Sequence, residues 1–168
     1  MTDIPTLIAA RKTLTTIPEW TLQNDQFRLV ATLDLDGVTL DGIWLRVTAY
    51  KAIPDRRVSF QIEFKPEGFR HIPAARVDWR PANPHSNRNI GPAHLRLMVI
   101  EGSHHHTFDA NWPLGFERMV SENLPIAEPL VPDPRDFEGL LHLVGRLFNV
   151  DGMKGIAVPK WEPGLFDR

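Results

Sequence analysis

Histidine is the residue type that most clearly suggests chemistry in this sequence, because five of its seven histidines fall between residues 85 and 106. A first group of candidate catalytic residues combines imidazole, guanidinium, carboxylate and amide side chains: Arg76, Asp78, His85, Asn87, His94 and Arg96. Side chains two apart in a strand share a face, so Arg76 aligns with Asp78, and His94 aligns with Arg96. If two neighbouring strands carry these pairs, the loop that holds His85 closes over their polar end.

This first group predicts acid–base chemistry that needs no metal ion and no cofactor. His85 and His94 would share the general acid and general base roles, since imidazole changes charge near neutral pH. The two arginines of the group would stabilise the charge of a phosphorane, and Asp78 and Asn87 would orient the reacting groups. Such a mechanism predicts activity in the presence of a chelator. The alternative is that these residues form an ion-paired, solvent-facing surface of a sheet.

A second group offers a metal site instead. The run His104-His105-His106 is followed by Asp109. In an extended chain His104 and His106 share a face, and two imidazoles at this spacing can bind one metal ion, with Asp109 as a third ligand. The alternative is a solvated hairpin loop without a metal.

Composition excludes several classes of function. The chain has 168 residues, no cysteine and a formal net charge of −2. Thiolate zinc sites, iron–sulfur clusters and a cysteine nucleophile are therefore excluded, and a site for a polyanion would have to be a local basic patch. The signatures of nucleotide-binding loops, serine hydrolases and zinc metalloproteases are absent. No apolar run is long enough for a membrane span, and the N-terminus is not typical of a signal peptide, so we expect a cytoplasmic protein.

The elements that must position these residues follow from hydrophobic periodicity. Residues 27–35 alternate with period two, and Asp36-Gly37 then predicts a hairpin. The return strand slips by one residue at Asp41-Gly42, which indicates a bulge. Further strands are predicted for residues 58–64, for residues 75–80 and for His94 to Ile100. In the first of these, Phe60, Ile62 and Phe64 should be buried. Its other residues Ser59, Gln61 and Glu63 should be accessible or in a polar layer.

Helices are predicted at both ends of the chain. Residues 6–14 form an N-terminal helix, with Asp3 as a cap, and residues 134–149 form a C-terminal amphipathic helix that starts at Asp133-Pro134. Eight of the 15 prolines lie between residues 81 and 134, which predicts an irregular middle, with a short helix starting at Trp112-Pro113. The tail, residues 159–168, is expected to dock on the domain. The fold class is therefore α+β: a single domain, residues 1–168, in which a twisted antiparallel meander spanning about 25–100 carries the helices on one face.

The pattern of the polar residues resembles a group of small, largely uncharacterised prokaryotic proteins. The resemblance is loose and covers about a third of the chain. It rests on R-x-D at Arg76 and Asp78, on H-x-N at His85 and Asn87, on P-x-H-x-[HR] from Pro92 to Arg96, on Glu101-Gly102, on Trp112, and on Phe148-Asn149-Val150. Two departures are visible: Arg96 stands where the second histidine of H-x-H is expected, and the segment after His85 lacks the expected N-P.

The resemblance implies a nucleic-acid-directed activity, because some members of that group are expected in toxin–antitoxin-like gene pairs. Two hypotheses of function follow. The first is a metal-independent phosphodiesterase that acts on RNA. The second is a noncatalytic module that binds RNA or a protein partner from the same operon, in which the polar cluster is a structural network.

Overall fold

The computed structural model describes residues 3–14 and 16–164. The helices in this part of the chain are α1 (Ile4–Ala9), α2 (Phe108–Asn111), α3 (Phe116–Ser121) and α4 (Phe137–Phe148). The strands are β1 (Lys12–Thr13), β2 (Thr21–Gln23), β3 (Gln26–Leu35), β4 (Val38–Tyr50), β5 (Val58–Phe64), β6 (Ile72–Trp79), β7 (His85–Ser86), β8 (Val99–Ile100), β9 (His104–His106), β10 (Glu128–Pro129) and β11 (Val150–Asp151). Short 3₁₀ helices occupy Trp112–Leu114 and Met153–Gly155.

One large sheet organises the chain. Its spatial order is β10-β9-β6-β5-β4-β3-β1-β11, with β2 paired to β3, and all its pairs are antiparallel except β1 with β11. The consecutive strands β3 to β6 form the predicted meander. With helices at both ends of the chain, this arrangement confirms the predicted α+β class. Strands β7 and β8 form a separate two-stranded sheet.

The two faces of the large sheet differ in chemistry. The face that packs against α4 is apolar, and the rings of Phe60 and Phe137 lie 6.1 Å apart there. The buried residues of α4 are Phe137, Leu140, Leu141, Val144 and Phe148. On the opposite face a polar row crosses four strands through Thr48, Ser59, Asp78 and His104. Because side chains alternate along a strand, the core and the polar row are built from the same strands.

The predicted hairpin and bulge are both confirmed. Asp36 and Gly37 have φ angles of 50° and 79°, the left-handed conformation that the tight turn between β3 and β4 requires. The register of these strands shifts between Thr32 and Asp34, opposite the Asp41-Gly42 step. Gly42 has a φ of 112°, and a Cβ atom there would lie 3.2 Å from the carbonyl oxygen of Lys65. The close approach of β4 to residue 65 therefore depends on glycine.

The alternation predicted for β5 is confirmed on its apolar side. Phe60, Ile62 and Phe64 are all buried. Glu63 is also buried, and its carboxylate accepts two hydrogen bonds from Arg46, at 2.8 and 3.1 Å. This ion pair provides the polar layer that lets an acidic residue lie within the sheet.

The N-terminal helix is shorter than predicted. It ends at Ala9, and no side-chain hydrogen bond from Asp3 caps it. Lys12–Thr13 instead joins the sheet, because the Lys12 amide donates to the Asn149 carbonyl at 2.8 Å and the Leu14 amide donates to the Asp151 carbonyl at 2.9 Å. These contacts span more than 130 residues of sequence, so local periodicity does not indicate them.

The C-terminal helix also begins later than predicted. Its N-cap is Asp136, whose carboxylate accepts from the Gly139 amide at 2.8 Å, whereas Asp133 forms an ion pair with Arg80 at 2.8 Å. The helix ends at Phe148, and Asn149 closes it in the left-handed conformation, which agrees with the predicted end near residue 149. Helix α4 is 12 residues long. Within the described ranges no helix is both long and apolar enough to cross a membrane.

The prediction of a strand from His94 to Ile100 is wrong. Most of this segment is a series of turns, and only Val99–Ile100 forms a strand, which pairs with β7. The amides of Leu95 and Arg96 both donate to the Pro92 carbonyl, and Leu97 has a φ of 59°. The strand that lies beside β6 is β9, not residues 94–100. The surrounding proline-rich middle holds only short elements, including α3 just after the predicted start at Trp112-Pro113.

The described part of the tail docks on the domain, as predicted. The ring of Trp161 lies 5.8 Å from that of Phe137, and the Glu162 amide donates to the Lys51 carbonyl at 2.9 Å. Residues 165–168 lie outside the described residues. The tail therefore covers one end of the core.

Because of Lys12, the stability of the fold depends on pH in the alkaline range. Its side chain is fully buried, Nζ donates to the carbonyls of Ile8 and Ala10 at 2.7 and 2.6 Å, and burial lowers its pKa from 10.5 to about 8. Between these two values the unfolded chain binds more protons than the folded one, so the free energy of unfolding rises with pH. We expect urea titrations of the wild type to show this rise between pH 8 and 10.5. A Lys12→Met variant should lack this part of the slope, and identical slopes in both proteins would contradict the assignment.

Candidate functional site

The two groups of candidate residues meet on the polar face of the sheet. His104 and His106 on β9 pair directly opposite Asp78 and Arg76 on β6. Because paired residues share a face, all four side chains point away from α4. His105 points to the other face, where its ring lies 5.9 Å from that of Phe148. The alternation predicted for the three-histidine run is therefore confirmed, although the run is a sheet strand and not a solvated loop.

His85 completes this group from the small sheet. Its ring centroid lies 5.3 Å from that of His104 and 4.7 Å from that of His106. One ring nitrogen from each of the three histidines lies within 4.8 Å of those of the other two. We refer to Arg76, Asp78, His85, His104 and His106 as the polar cluster.

A short backbone segment, residues 123–127, closes the cluster from the side. Three consecutive carbonyls of this segment face cluster side chains. The Asn123 carbonyl accepts from Arg76 Nη1 at 3.3 Å, the Leu124 carbonyl faces Nδ1 of His106 at 2.6 Å, and the Pro125 carbonyl faces Nε2 of His85 at 3.0 Å. Asn123 and Leu124 both have left-handed φ angles, 53° and 57°, which are uncommon for residues other than glycine. The local backbone therefore departs from its usual conformation where it meets the cluster.

Two buried asparagines hold this segment in place. Asn87 exchanges hydrogen bonds with both backbone groups of Ala127 at 2.8 Å and donates to the Leu95 carbonyl at 2.9 Å. Asn111 exchanges hydrogen bonds with both backbone groups of Ile126, at 2.8 and 2.9 Å. Asn87, predicted to orient catalytic groups, thus acts on the backbone next to them. Asn111 was not predicted, and its position in a short helix gives no sequence signal for this role.

The carbonyl contacts define which ring nitrogen of each histidine carries the proton. A carbonyl oxygen only accepts, so the nitrogen that faces it donates. His104 follows the same rule, with Nδ1 2.9 Å from the Gly102 carbonyl. In the neutral rings the lone pairs are therefore left on Nδ1 of His85 and on Nε2 of His104 and His106. Burial lowers the pKa of His85, and it lowers the pKa of His106 to about 4.

Asp78 is the anionic centre of the cluster. Its Oδ1 accepts from Ser59 at 2.8 Å and its Oδ2 accepts from Arg76 at 2.9 Å. Oδ2 also lies 3.4 Å from Nε2 of His104 and 3.3 Å from Nε2 of His106. Burial alone would raise the pKa of this carboxyl, but the two histidines and the charge of Arg76 outweigh it and hold the pKa well below its ordinary value. Asp78 is therefore ionised throughout the neutral range.

Arg76 bridges the anion and a histidine. While Nε donates to Asp78, Nη2 lies 2.9 Å from Nε2 of His106 and donates to its lone pair. The planar guanidinium suits this fork because its donors have a fixed geometry. Arg76 is half-buried, so one side of the cluster remains open to solvent.

A cavity of about 360 Å³ gives access to the cluster. Its lining includes Tyr50, Arg57, Arg76, Asp78, His85 and His104. The guanidinium of Arg57 lies 4.0 Å from the centre of the Tyr50 ring. Tyr50 and Arg57 belong to the end of β4 and the loop after it, and no sequence spacing relates them to the histidines.

The remaining predicted residues lie elsewhere. His94 and Arg96 are exposed in the turns after Gly91, and Arg96 donates to the Gly91 carbonyl at 2.6 Å. Neither lines the cavity, because their segment is not the strand that the shared-face argument required. Asp109 lies on α2 with an exposed side chain and is not among the residues that converge with His104 and His106. His85 occupies the third position that Asp109 was predicted to take.

A larger open cleft of about 900 Å³ lies along α4 and β11. Two of its charged residues, Arg11 and Asp151, pair with each other at the surface at 2.5 Å. The smaller cavity is the better candidate for chemistry, because Asp78 and His85, which both have lowered pKa values, converge in it.

Comparisons of the chain with protein-family models, with curated proteins and with solved structures found no match. The functional argument therefore depends on the geometry of the polar cluster.

Proposed function

We propose that the protein cleaves phosphodiester bonds in RNA at the polar cluster. The observation that carries this proposal is that two guanidinium groups and two of the three converging imidazoles line one solvent-accessible cavity. Guanidinium binds phosphate through paired hydrogen bonds, and imidazole moves protons near neutral pH.

The charge of the cavity supports an anionic substrate. Arg57 and Arg76 line it, and Asp78 is the one acidic residue among its described lining residues. The charge of Asp78 is already balanced by Arg76, so Arg57 leaves a net positive charge at the cavity. The chain as a whole has a net charge of −2, so the attraction for a phosphate is local.

The sequence pattern supports the same assignment. Arg76 and Asp78 belong to the R-x-D element of the resemblance, and His85 belongs to the H-x-N element. Arg76 donates a hydrogen bond to Asp78, and the ring of His85 lies beside that of His104. His104 and His106 also have the spacing H-x-H, but they lie outside the segments on which the resemblance rests. The resemblance implies a nucleic-acid-directed activity, and its R-x-D element and His85 line the same cavity, whereas His94 and Arg96 lie outside it.

The proposed reaction uses the 2′-hydroxyl of RNA as its nucleophile. The 2′-oxygen attacks phosphorus while the bond between phosphorus and the 5′-oxygen breaks. The proton of the 2′-hydroxyl passes to the cluster, and the cluster returns a proton to the departing 5′-oxygen. The products are a 2′,3′-cyclic phosphate and a 5′-hydroxyl, and no further reactant is consumed. Arg57 and Arg76 stabilise the extra negative charge of the phosphorane.

An RNA cleavage assay tests the proposal. We expect the wild type to cleave an unstructured RNA and to leave 2′-O-methyl RNA of the same sequence intact. His85→Ala should lower the rate by about 10²–10⁴, the usual contribution of a positioned proton-transfer group. His94→Ala is the matched control and should retain the wild-type rate, because His94 is exposed outside the cavity.

Two outcomes would contradict the proposal. The first is that the folded wild type leaves all RNA substrates intact. If it binds RNA without cleaving it, and Arg57→Ala weakens that binding, the protein is a noncatalytic RNA-binding module. The second is that His85→Ala and His94→Ala cleave at equal rates, which would assign the activity to another site or to a contaminant.

A further inference from the structure

The polar cluster contains more hydrogen-bond acceptors than its one guanidinium group, that of Arg76, can donate to. In the neutral rings Nδ1 of His85 and Nε2 of His104 and His106 carry lone pairs, because the other nitrogen of each ring donates to a carbonyl. Oδ2 of Asp78 lies 3.4 and 3.3 Å from two of these nitrogens. A carboxylate oxygen and a ring nitrogen at this distance need a positive species between them, which is either a proton on the ring or a metal ion. Arg76 also donates a hydrogen bond to Nε2 of His106.

Each of the three histidines donates one ring N–H to a backbone carbonyl, as histidines that bind a metal usually do. A histidine that binds a metal through one nitrogen usually donates its other N–H to a carbonyl or a carboxylate, which fixes the ring. All three histidines make this contact with a backbone carbonyl, at 3.0, 2.9 and 2.6 Å. Each of these contacts leaves the second ring nitrogen available, and one ring nitrogen of each histidine lies within 4.8 Å of those of the other two.

We infer that His85, His104 and His106 bind one divalent transition-metal ion, with Asp78 beside it as a fourth ligand or an acceptor for metal-bound water. This inference rests on the proposed function for its chemical role, since it names the group that activates the nucleophile. The donor set of imidazole and carboxylate favours Zn²⁺ and Co²⁺ over Mg²⁺ and Ca²⁺, which prefer oxygen ligands.

A bound metal ion accounts for the proton transfers better than a pair of histidines does. The metal-free mechanism assigned the acid and base roles to His85 and His94, and His94 lies outside the cavity. Metal ions such as Zn²⁺ lower the pKa of bound water to about 7. A metal ion held by His85, His104 and His106 would supply such an activated water beside the cavity, and this water would serve as the base for the RNA 2′-hydroxyl and as the acid for the 5′-oxygen. The balance of the reaction is unchanged.

Arg76 competes with the metal for one ligand. Its Nη2 donates to Nε2 of His106 at 2.9 Å, where the metal would bind. Removal of this donor frees a lone pair and removes a positive charge next to the metal. Arg76→Gln is therefore expected to tighten metal binding, by about tenfold if one charge-assisted hydrogen bond is released. A purely structural role of the cluster would not produce an increase.

Metal titration of the full chain tests the inference. The protein is stripped with EDTA, freed of the chelator and titrated with Zn²⁺ by calorimetry and with Co²⁺ by visible absorption. We expect one ion per chain and a Co²⁺ spectrum typical of nitrogen ligands. His85→Ala should weaken binding by at least about 100-fold, because loss of a ligand exceeds the 10- to 100-fold cost of losing a second-sphere partner. His85 is chosen because it is only half-buried, whereas His104→Ala and His106→Ala could fail to fold.

His94→Ala is again the matched control and should bind the metal as the wild type does. The inference is overturned if the folded wild type binds neither ion, or if His85→Ala binds as tightly as His94→Ala. RNA cleavage that persists in EDTA, without metal binding, would reject the metal and leave the proposed function standing. Stoichiometric metal binding that requires His85, without RNA cleavage, would reject the proposed function and leave the metal site standing.

Discussion

Replacement of Ile62 by aspartate is expected to unfold the protein. Ile62 is 1% exposed and lies in the centre of the sheet, paired with Leu45 on β4 and Ala75 on β6. Its side chain points to the apolar face that packs against α4. Burial of an unpaired carboxylate costs several kcal/mol, and the loss of a buried isoleucine costs about 2–5 kcal/mol more. Together these losses approach the whole stability of a domain, about 5–15 kcal/mol.

Val30→Asp is the matched control for this experiment. It makes a comparable apolar-to-acidic change in the neighbouring part of the sheet, but Val30 is 45% exposed and lies opposite Arg46 on the polar face. We expect Val30→Asp to remain folded. Circular dichroism and urea unfolding measure both variants. A soluble Ile62→Asp protein with an unchanged melting temperature would contradict the assignment of faces.

The strands of the meander could be predicted because their alternation follows from burial on one face only. Phe60, Ile62 and Phe64 face the core, and the residues between them face the polar side. The end of α4 could be predicted because Asn149 tolerates the left-handed conformation. These signals are local, so they can be recognised without knowledge of the rest of the fold.

The start of α4 could not be predicted with the same accuracy, because two aspartates compete for the cap. Asp133 and Asp136 both precede the apolar stripe, and local spacing favours Asp133 with its following proline. The structure uses Asp136, since Asp133 accepts hydrogen bonds from Arg80 and Ser103. The choice is made by partners that lie far away in the sequence.

The candidate site could be predicted only in part for the same reason. Arg76, Asp78 and His85 were grouped correctly by chemistry, and His104 with His106 by alternation. That these two groups form one cluster depends on the pairing of β9 with β6. The apolar run at 95–100 was a more obvious partner for β6 than a strand of three histidines. Leu97 and Val99 of that run are 69% and 61% exposed, so its hydrophobicity is not used to fill the core.

Asp78→Asn is expected to have the largest effect of any single change within the polar cluster. The asparagine has nearly the same shape but presents an N–H where Oδ2 now accepts from Arg76 at 2.9 Å. The guanidinium is then left half-buried without its anion. The loss of one partner from a buried ion pair typically costs about 3–5 kcal/mol. The proposed RNA cleavage should fall together with stability, because Arg76 and both strand histidines lose the group that orients them.

A matched control separates this effect from the simple loss of a negative charge. Glu122→Gln removes a carboxylate from an ion pair with Arg118, but this pair lies at the surface. Exposed pairs contribute little, so the free energy of unfolding should stay close to that of the wild type. Urea titrations at neutral pH compare the wild type and the two variants.

The dependence on pH gives the Asp78 prediction its sharpest test. The pKa of Asp78 in the folded protein lies well below its ordinary value, so between these two values the unfolded chain binds the extra proton. The stability that Asp78 contributes is therefore complete above the ordinary aspartate pKa of about 4 and declines as the pH falls below it. The difference in unfolding free energy between the wild type and Asp78→Asn should be constant from neutral pH to about pH 5 and should shrink in more acidic solution. A difference that persists unchanged at pH 3 would mean that the ionised carboxylate is not the source of the stability, because only the charged form distinguishes aspartate from asparagine at this site.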